Sequence, residues 1–344
     1  MDKKRLYNKI NKSVLIESLK NEKFKRITAS FYKYITINEP QKFRDFLYIT
    51  FHKYKIFGRI YIAVEGINAQ VSVPEKKWIL FLNIINQIKE FRDIHIKKAL
   101  QEGNSFYKLT IKVREELVAY NLLESEYDID KVGKHLDSEE YNSALDNPNT
   151  TIVDMRNYYE SEVGQFKNAI IPDAETSKEL LPKVKKLLKG KERDKILLYC
   201  TGGIRCEKAS SYLIKNGFKD INQLQGGIIQ YAHDMKAKNI KSKFIGKNFV
   251  FDNRLGERVT DDVISKCHIC QESCDNHTDC KNDACHILFI QCEKCNKKFM
   301  GCCSDECKNF TLLPNEDQKK RRKNARKIIS KTFFDSRIKP KLRL

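Results

Sequence analysis

No run of about 18 uninterrupted apolar residues occurs anywhere in the chain, so a transmembrane helix is not expected. The first 26 residues lack an apolar core and carry nine Lys/Arg against three acids, which argues against a secretory signal. No internal repeat of about 20–50 residues stands out, so a solenoid or propeller is not indicated. Neither a flavin nor a haem motif is recognisable. Negative charge is scarce: 45 Asp and Glu face 65 Lys and Arg, a formal balance of +20. That excess points to a polyanionic partner such as nucleic acid, unless it reflects only a coding bias toward Lys, Ile and Asn. Cysteine, by contrast, is plentiful. Twelve cysteines without a secretory signal suggest thiolates, metal ligands or redox chemistry in a reducing cytoplasm rather than structural disulfides. With 344 residues, 41% of them hydrophobic, the chain has material for two or three domains.

Periodicity divides the chain. Met1–Arg26 has a helical pattern (Leu6, Ile10, Val14, Leu15, Leu19) and reads either as an RNA-facing arm or as a solvated surface helix. From residue 27 the pattern is strand 28–36, helix 41–54, paired strands 58–64 and 68–73, a helix from Pro74 to about Glu90, and strands 94–100 and 106–113. The order βαββαβ with an extra strand is a ferredoxin-like arrangement. Glu65-Gly66-Ile67-Asn68 serves as the hairpin turn or touches a ligand. A charged, partly helical connector is expected over 115–136. Beyond Asn149, short apolar runs such as Thr151–Asp154 and Ile196–Tyr199 alternate with helical segments, as in a parallel sheet covered on both faces.

The stretch from Lys195 to Ala209, KILLYCTGGIRCEKA, is the most informative. An apolar strand runs into Cys200, a Gly-Gly turn follows, and a helix opens near Arg205 and Cys206. Glycines let successive backbone N–H groups turn inward as an anion nest, and the helix end and Arg205 add positive charge. Each favours thiolate over thiol, and such surroundings lower a cysteine pKa to between about 3.5 and 7.5. Cysteine phosphatases place five residues between Cys and Arg. Here only Thr201–Ile204 intervene, a smaller cradle that suits a thiolate or persulfide better than a tetrahedral phosphate.

Cys200-x-x-Gly203-x-Arg205 is preceded by Val153-Asp154-Met155-Arg156-Asn157-x-x-Glu160 and followed by Gly217-Phe218 and Leu224-x-Gly226-Gly227. In that order the motifs resemble a rhodanese domain, which implies a persulfide-bearing Cys200, with Asp154, Arg156, Gly226 and Gly227 as scaffold. More narrowly, Ile62–Asn68, the nonamer Cys200–Lys208, and Asn282–His286 with Gln291–Cys295 resemble the bacterial oxygen-dependent tRNA uridine hydroxylases. The resemblance implies an acylphosphatase-like domain, a rhodanese domain and a cysteine-rich region. It also implies conversion of uridine 34 in the tRNA anticodon to 5-hydroxyuridine, with molecular oxygen as co-substrate and a separate electron donor. The α/β architecture expected is then residues 1–26 as a basic helix, 27–120 ferredoxin-like, 121–145 connector, 146–240 rhodanese, 241–314 cysteine-rich and 315–344 a basic tail.

One covalent route is a thiolate adding at uracil C6, so that C5 gains enolate character and meets oxygen, with Arg205 steadying the charge. Cys206 stands where single-domain rhodaneses commonly carry Ser, and either resolves an oxidised or persulfurated Cys200 or is a small helix-start residue. A sulfurtransferase passing persulfide sulfur to an acceptor uses the same loop, and an inert RNA-binding scaffold would need neither Cys200 nor Arg205. In the cysteine-rich region, Cys267-x-x-Cys270 and Cys292-x-x-Cys295 are paired knuckles with the spacing of a structural four-cysteine zinc site. Cys274, Cys280, Cys285, Cys302, Cys303 and Cys307, with His277 and His286, would suffice for a second site. The alternatives are a metal-free thiol cluster, disulfides or cluster iron. The tail around Lys319–Lys323 is a phosphate-backbone contact or a charged end.

Overall fold

The computed structural model describes residues 6–328. Within the basic segment 1–26, a shorter helix α1 runs over Lys12–Lys20, capped by the Asn11 side chain, which accepts from the Ser13 N–H. Met1–Arg5 and residues 329–344, the end of the basic tail, lie outside the described residues.

The first domain is β1 (Arg26–Tyr34), α2 (Pro40–Lys53), β2 (Phe57–Ala63), β3 (Gly66–Pro74), α3 (Trp78–Gln87), β4 (Lys97–Lys98) and β5 (Leu109–Val113). Its sheet runs β4-β1-β3-β2-β5, with β2 and β5 parallel and the other pairs antiparallel. Ala29, Phe31, Ile60, Ile62, Ile67, Ala69 and Val71 face α2 and α3 and form the core with Phe51, Phe81 and Phe91. Strand alternation therefore sends Tyr32, Arg59, Tyr61, Asn68 and Gln70 to the opposite face. The strand expected over 94–100 shrinks to two residues, and the helix expected from Pro74 begins as a single tight turn (Glu75–Lys77).

The second domain follows with β6 (Lys134–Leu136), α4 (Ser138–Leu145), β7 (Thr150–Asp154), α5 (Tyr158–Ser161), β8 (Gly164–Phe166), α6 (Ser177–Leu187), β9 (Lys195–Tyr199), α7 (Ile204–Lys215), β10 (Asp220–Leu224), α8 (Gly227–Ala237) and β11 (Phe244–Asn248). The sheet β6-β10-β9-β7 is parallel throughout. Ile196 and Leu198 of β9 pack under α6 and α7, while Leu197 and Tyr199 pack under α4 and α8. Burial on both faces explains the uninterrupted apolar run of this strand. The edge strand β6 lies inside the segment that periodicity assigns to the connector. The rest of that connector is not helical apart from one turn at Glu124–Glu126. Leu117, Val118 and Tyr120 are buried instead, and the Leu117 N–H donates to Glu65 Oε1 at 2.6 Å while Tyr120 donates to the Arg205 carbonyl at 3.2 Å. Tertiary anchors of this kind override a local helical preference.

The remaining chain forms β12 (Glu257–Arg258), β13 (His277–Asp279), β14 (Leu288–Ile290), α9 (Glu293–Phe299), α10 (Asp305–Leu312) and α11 (Asn315–Ile328). β11 is sandwiched between β12 and β8, which ties the cysteine-rich region to the second domain. Among the described residues no helix is long and apolar enough to cross a membrane.

Candidate active site

β9 delivers Cys200 at its carboxyl end, where the chain must turn at once into α7. Gly203 makes that turn at φ +104°, and any Cβ there would lie 2.6 Å from the Tyr32 hydroxyl oxygen. The Gly203 N–H donates to Cys200 Sγ at 3.1 Å. The start of α8 closes the loop from below: Ile228 N–H donates to the Cys200 carbonyl at 3.0 Å, and Ile229 N–H to the Thr201 carbonyl at 3.2 Å. A Cβ on Gly227 would stand 2.6 Å from the Cys200 carbonyl oxygen and 2.8 Å from two loop nitrogens, so only glycine permits this approach.

Arg205 is committed to Glu160 through two bonds of 2.6 and 2.9 Å, and to Thr201 Oγ1 at 3.2 Å. Its guanidinium reaches Cys200 through charge rather than through a direct bond. Burial pushes the Cys200 thiol up. The Cys206 S–H, the Arg205 guanidinium and the N–H groups of Gly203 and Arg205 more than offset it and bring the thiol down to about 5. Cys206 lies fully buried in the first turn of α7, and burial together with the Cys200 sulfur holds its own thiol well above the usual range. It remains a thiol and donates to its neighbour. The three residues singled out in this loop thus converge on one sulfur.

The opposite wall belongs to the first domain. Lys97 Nζ donates to the Gly202 carbonyl at 2.7 Å and sits 4.7 Å from the Tyr32 ring centroid. Tyr32 donates to Glu207 at 2.9 Å. Burial lowers Lys97 to about 8, although Cys200 and Glu207 favour its charged form. A third wall comes from Phe251, whose carbonyl accepts from Arg59 Nη1 at 3.1 Å. Between these walls lies a cavity of about 330 Å³ that reaches Cys200, Thr201 and Gly202, within the usual range for small-molecule pockets of about 300–1,000 Å³. Cys200 itself has no solvent-exposed surface.

Three family models match in succession: a UPF0176 acylphosphatase like domain over residues 26–117, a rhodanese-like domain over 137–234, and a rhodanase C-terminal domain over 245–308. A tRNA uridine(34) hydroxylase of Leptospira interrogans is 47% identical over 342 residues, covering 99% of this chain and 93% of the relative. Another, from an Enterobacter species, is 46% identical over 332 residues and covers 95% of each. A rhodanese-like domain protein of Staphylococcus aureus has a similar solved structure, 24% identical over 28% of this chain and 90% of its own, with a TM-score of 0.24. The chain belongs to the tRNA uridine(34) hydroxylase family.

In this family member the nonamer has two jobs. Cys200 to Cys206 build the cradle, whereas Glu207 and Lys208 dock the two domains. Lys208 Nζ is buried between Glu65 (3.0 Å) and Glu116 (2.8 Å), and Glu207 accepts from Tyr32 and, at 2.9 Å, from Gln223. Glu65 is therefore a docking residue, while Asn68 of the same turn lines the cavity. Lys97, Tyr32 and Phe251 escape sequence reasoning altogether. Alternation puts Lys97 opposite Ile94 and Ile96, but nothing local says that this face meets Cys200. Glu160 is legible as part of a motif, not as the partner of Arg205.

In the cysteine-rich region, Cys267, Cys270, Cys292 and Cys295 converge, with all four sulfurs within 4.8 Å of one another and Cys270 and Cys292 3.5 Å apart. All twelve cysteines are free thiols. The basic tail is helical through Ile328, with Lys319, Lys320 and Arg321 exposed.

Proposed function

We propose that this chain hydroxylates C5 of uridine 34 in tRNA, with Cys200 as covalent nucleophile and dioxygen as co-substrate. The observation that carries the reading is a thiol brought down to about 5 on the wall of a pocket-sized cavity. Relatives named for this activity match nearly the whole chain. At pH 7 such a sulfur is about 99% thiolate, against a few per cent for an ordinary thiol. A base in the anticodon loop is already exposed enough to be splayed into a pocket.

Cys200 Sγ adds to C6 and the electron pair of the C5–C6 bond moves into an enolate. Lys97 offers its ammonium to that developing charge. C5 bonds to dioxygen as a peroxide anion, and a two-electron reductant with three protons releases one oxygen atom as water and leaves the other as the hydroxyl, a net uptake of two protons once C5 gives up its own. Loss of the C5 proton then expels Cys200 as thiolate and restores the double bond. The exposed lysines of α11 and the +20 balance suit the phosphates of tRNA, so binding weakens with salt. A cytoplasmic location follows from that substrate.

The thiolate must be present and Lys97 must be charged. Activity therefore rises as pH passes about 5, where Cys200 loses its proton, and falls as pH passes about 8, where Lys97 loses its own. Lys97→Arg is expected to abolish the alkaline fall, and Lys97→Met to lower kcat about 10²–10⁴-fold across the range. A pH–rate profile that keeps its alkaline fall in Lys97→Arg removes Lys97 from the mechanism.

A structural zinc at Cys267, Cys270, Cys292 and Cys295 belongs to the same reading. Zn–S bonds of about 2.3 Å place tetrahedral sulfurs about 3.8 Å apart, close to the spacing here. The decisive experiment is nucleoside mass analysis of tRNA incubated with the protein, oxygen and a reductant. Uridine 34 gaining one oxygen is expected. A sulfur-bearing product, or unaltered uridine with sulfur moved to another acceptor, would make the chain a sulfurtransferase.

A further inference from the structure

Four more cysteines gather on the far side of the β13–β14 hairpin. The sulfurs of Cys280, Cys285, Cys303 and Cys307 all lie within 4.8 Å of one another, with Cys285 and Cys303 3.7 Å apart and Cys303 and Cys307 3.6 Å apart. A disulfide would bring two of them to about 2.05 Å, and none is so close. The spacings fall instead on the edge of a single-ion tetrathiolate tetrahedron, about 3.8 Å for zinc. The apolar matter around them is thin: Cys280, Ile287, Phe289 and Cys302 are the buried core of this half. A cluster of four unbonded thiols in so small a core has little else to hold it together.

The structure also separates ligands from bystanders. Cys302 is buried with its sulfur 3.9 Å from Thr311 Oγ1, and Cys274 accepts from the Asn276 N–H at 3.4 Å. His277 packs edge-on against Phe249, and His286 turns toward Asp283. Asn282 Nδ2 donates to Cys307 Sγ at 3.3 Å while its Oδ1 accepts from Ala284, the sort of outer bond that orients a thiolate ligand.

We propose that Cys280, Cys285, Cys303 and Cys307 form a second tetrathiolate zinc site, interleaved with the first. In chain order the pairs are 267/270, 280/285, 292/295 and 303/307; the first site takes the first and third, the second site the second and fourth. Neither site is a contiguous finger. β13 and β14 run between them, paired from His277↔Ile290 to Asp279↔Leu288, so each ion fixes one end of the same hairpin. The module is cross-braced, and its consequence reaches the catalytic cavity. Cys267, Cys274, Cys292 and Cys295 share a core with Phe249, against which Phe251 packs. Asp275 clamps Lys247 at 2.8 Å and Arg258 at 2.6 Å.

This inference rests on zinc as occupant of the first set, and metal stoichiometry separates the two. Full-length protein purified anaerobically under reducing conditions is expected to hold two zinc ions per chain by elemental analysis. Cys303→Ser/Cys307→Ser should retain one, Cys267→Ser/Cys270→Ser one, and Cys274→Ser or Cys302→Ser both. One zinc in the native chain, kept by Cys303→Ser/Cys307→Ser and lost by Cys267→Ser/Cys270→Ser, would overturn the second site and leave the first. No zinc, or iron with sulfide in its place, would overturn both. The count on the unaltered chain decides even if a variant fails to fold.

Discussion

Cys200→Ser is expected to eliminate 5-hydroxyuridine formation, a fall in kcat of at least about a thousandfold, or about 4 kcal/mol in barrier. Loss of a covalent nucleophile costs up to about 10⁶ in well-studied hydrolases, so this is a lower bound. Serine has nearly the volume of cysteine and can keep the Gly203 N–H bond, so the loop should stay in place. What it lacks is ionisability: the donors that bring a thiol to about 5 leave a hydroxyl protonated at any pH the fold tolerates. Binding of tRNA, which depends on surfaces away from the sulfur, should change little. Single-turnover assays with purified tRNA, read by nucleoside mass analysis, test this, and retention of full activity would remove Cys200 from the reaction. Cys206→Ala gives a graded companion result. It deletes one donor to the thiolate, so the acid limb of the pH profile should move to higher pH while the product stays the same.

Asp154→Asn carries the largest expected effect on stability. Asp154 and Arg156 are both without solvent exposure, joined by bonds of 2.9 and 2.7 Å, and Asp154 also accepts from Ser161 Oγ at 2.9 Å. Removing the carboxylate charge leaves a guanidinium in the interior with the Glu160 and Gly164 carbonyls and the rings of Tyr199 and Phe244 beside it, none of which carries a compensating charge. Breaking a buried pair in this way costs about 3–5 kcal/mol. Domains are stable by only about 5–15 kcal/mol, so the second domain should unfold at a much lower urea midpoint. A midpoint shift worth less than about 1 kcal/mol would mean that water or a rearranged partner reaches Arg156.

Much of this architecture is legible one residue at a time. Alternation at Ile60/Ile62 and Ile67/Ala69/Val71 marks strands with a single core face, and the unbroken Ile196–Tyr199 run marks a strand covered on both. Two of the segments that misled are ones where long-range contacts outweigh local pattern. Residues 115–136 look charged and partly helical, yet Val118 and Tyr120 join the second domain's core, Tyr120 on the Arg205 carbonyl, while the buried Leu117 holds Glu65 of the first domain. The strand around Lys97 is short because its partner β1 pairs with it at only two positions.

The order of residues was enough to set the Cys200 sulfur against a loop N–H at the end of β9, since a strand, two glycines and a helix start leave the backbone few ways to turn. It was also enough to gather thiols near residue 290, because Cys-x-x-Cys turns aim both sulfurs one way. Tertiary structure alone decided what faces that sulfur: Lys97 and Tyr32 arrive from a separate sheet, and Phe251 from a third part of the chain. Spacing had already joined Cys267 and Cys270 to Cys292 and Cys295; tertiary structure alone picked Cys280, Cys285, Cys303 and Cys307 from the other candidates and set the two groups at opposite ends of a hairpin. Local sequence governs dihedral angles and which face an element buries, whereas partners distant along the chain are chosen only when those faces are packed together.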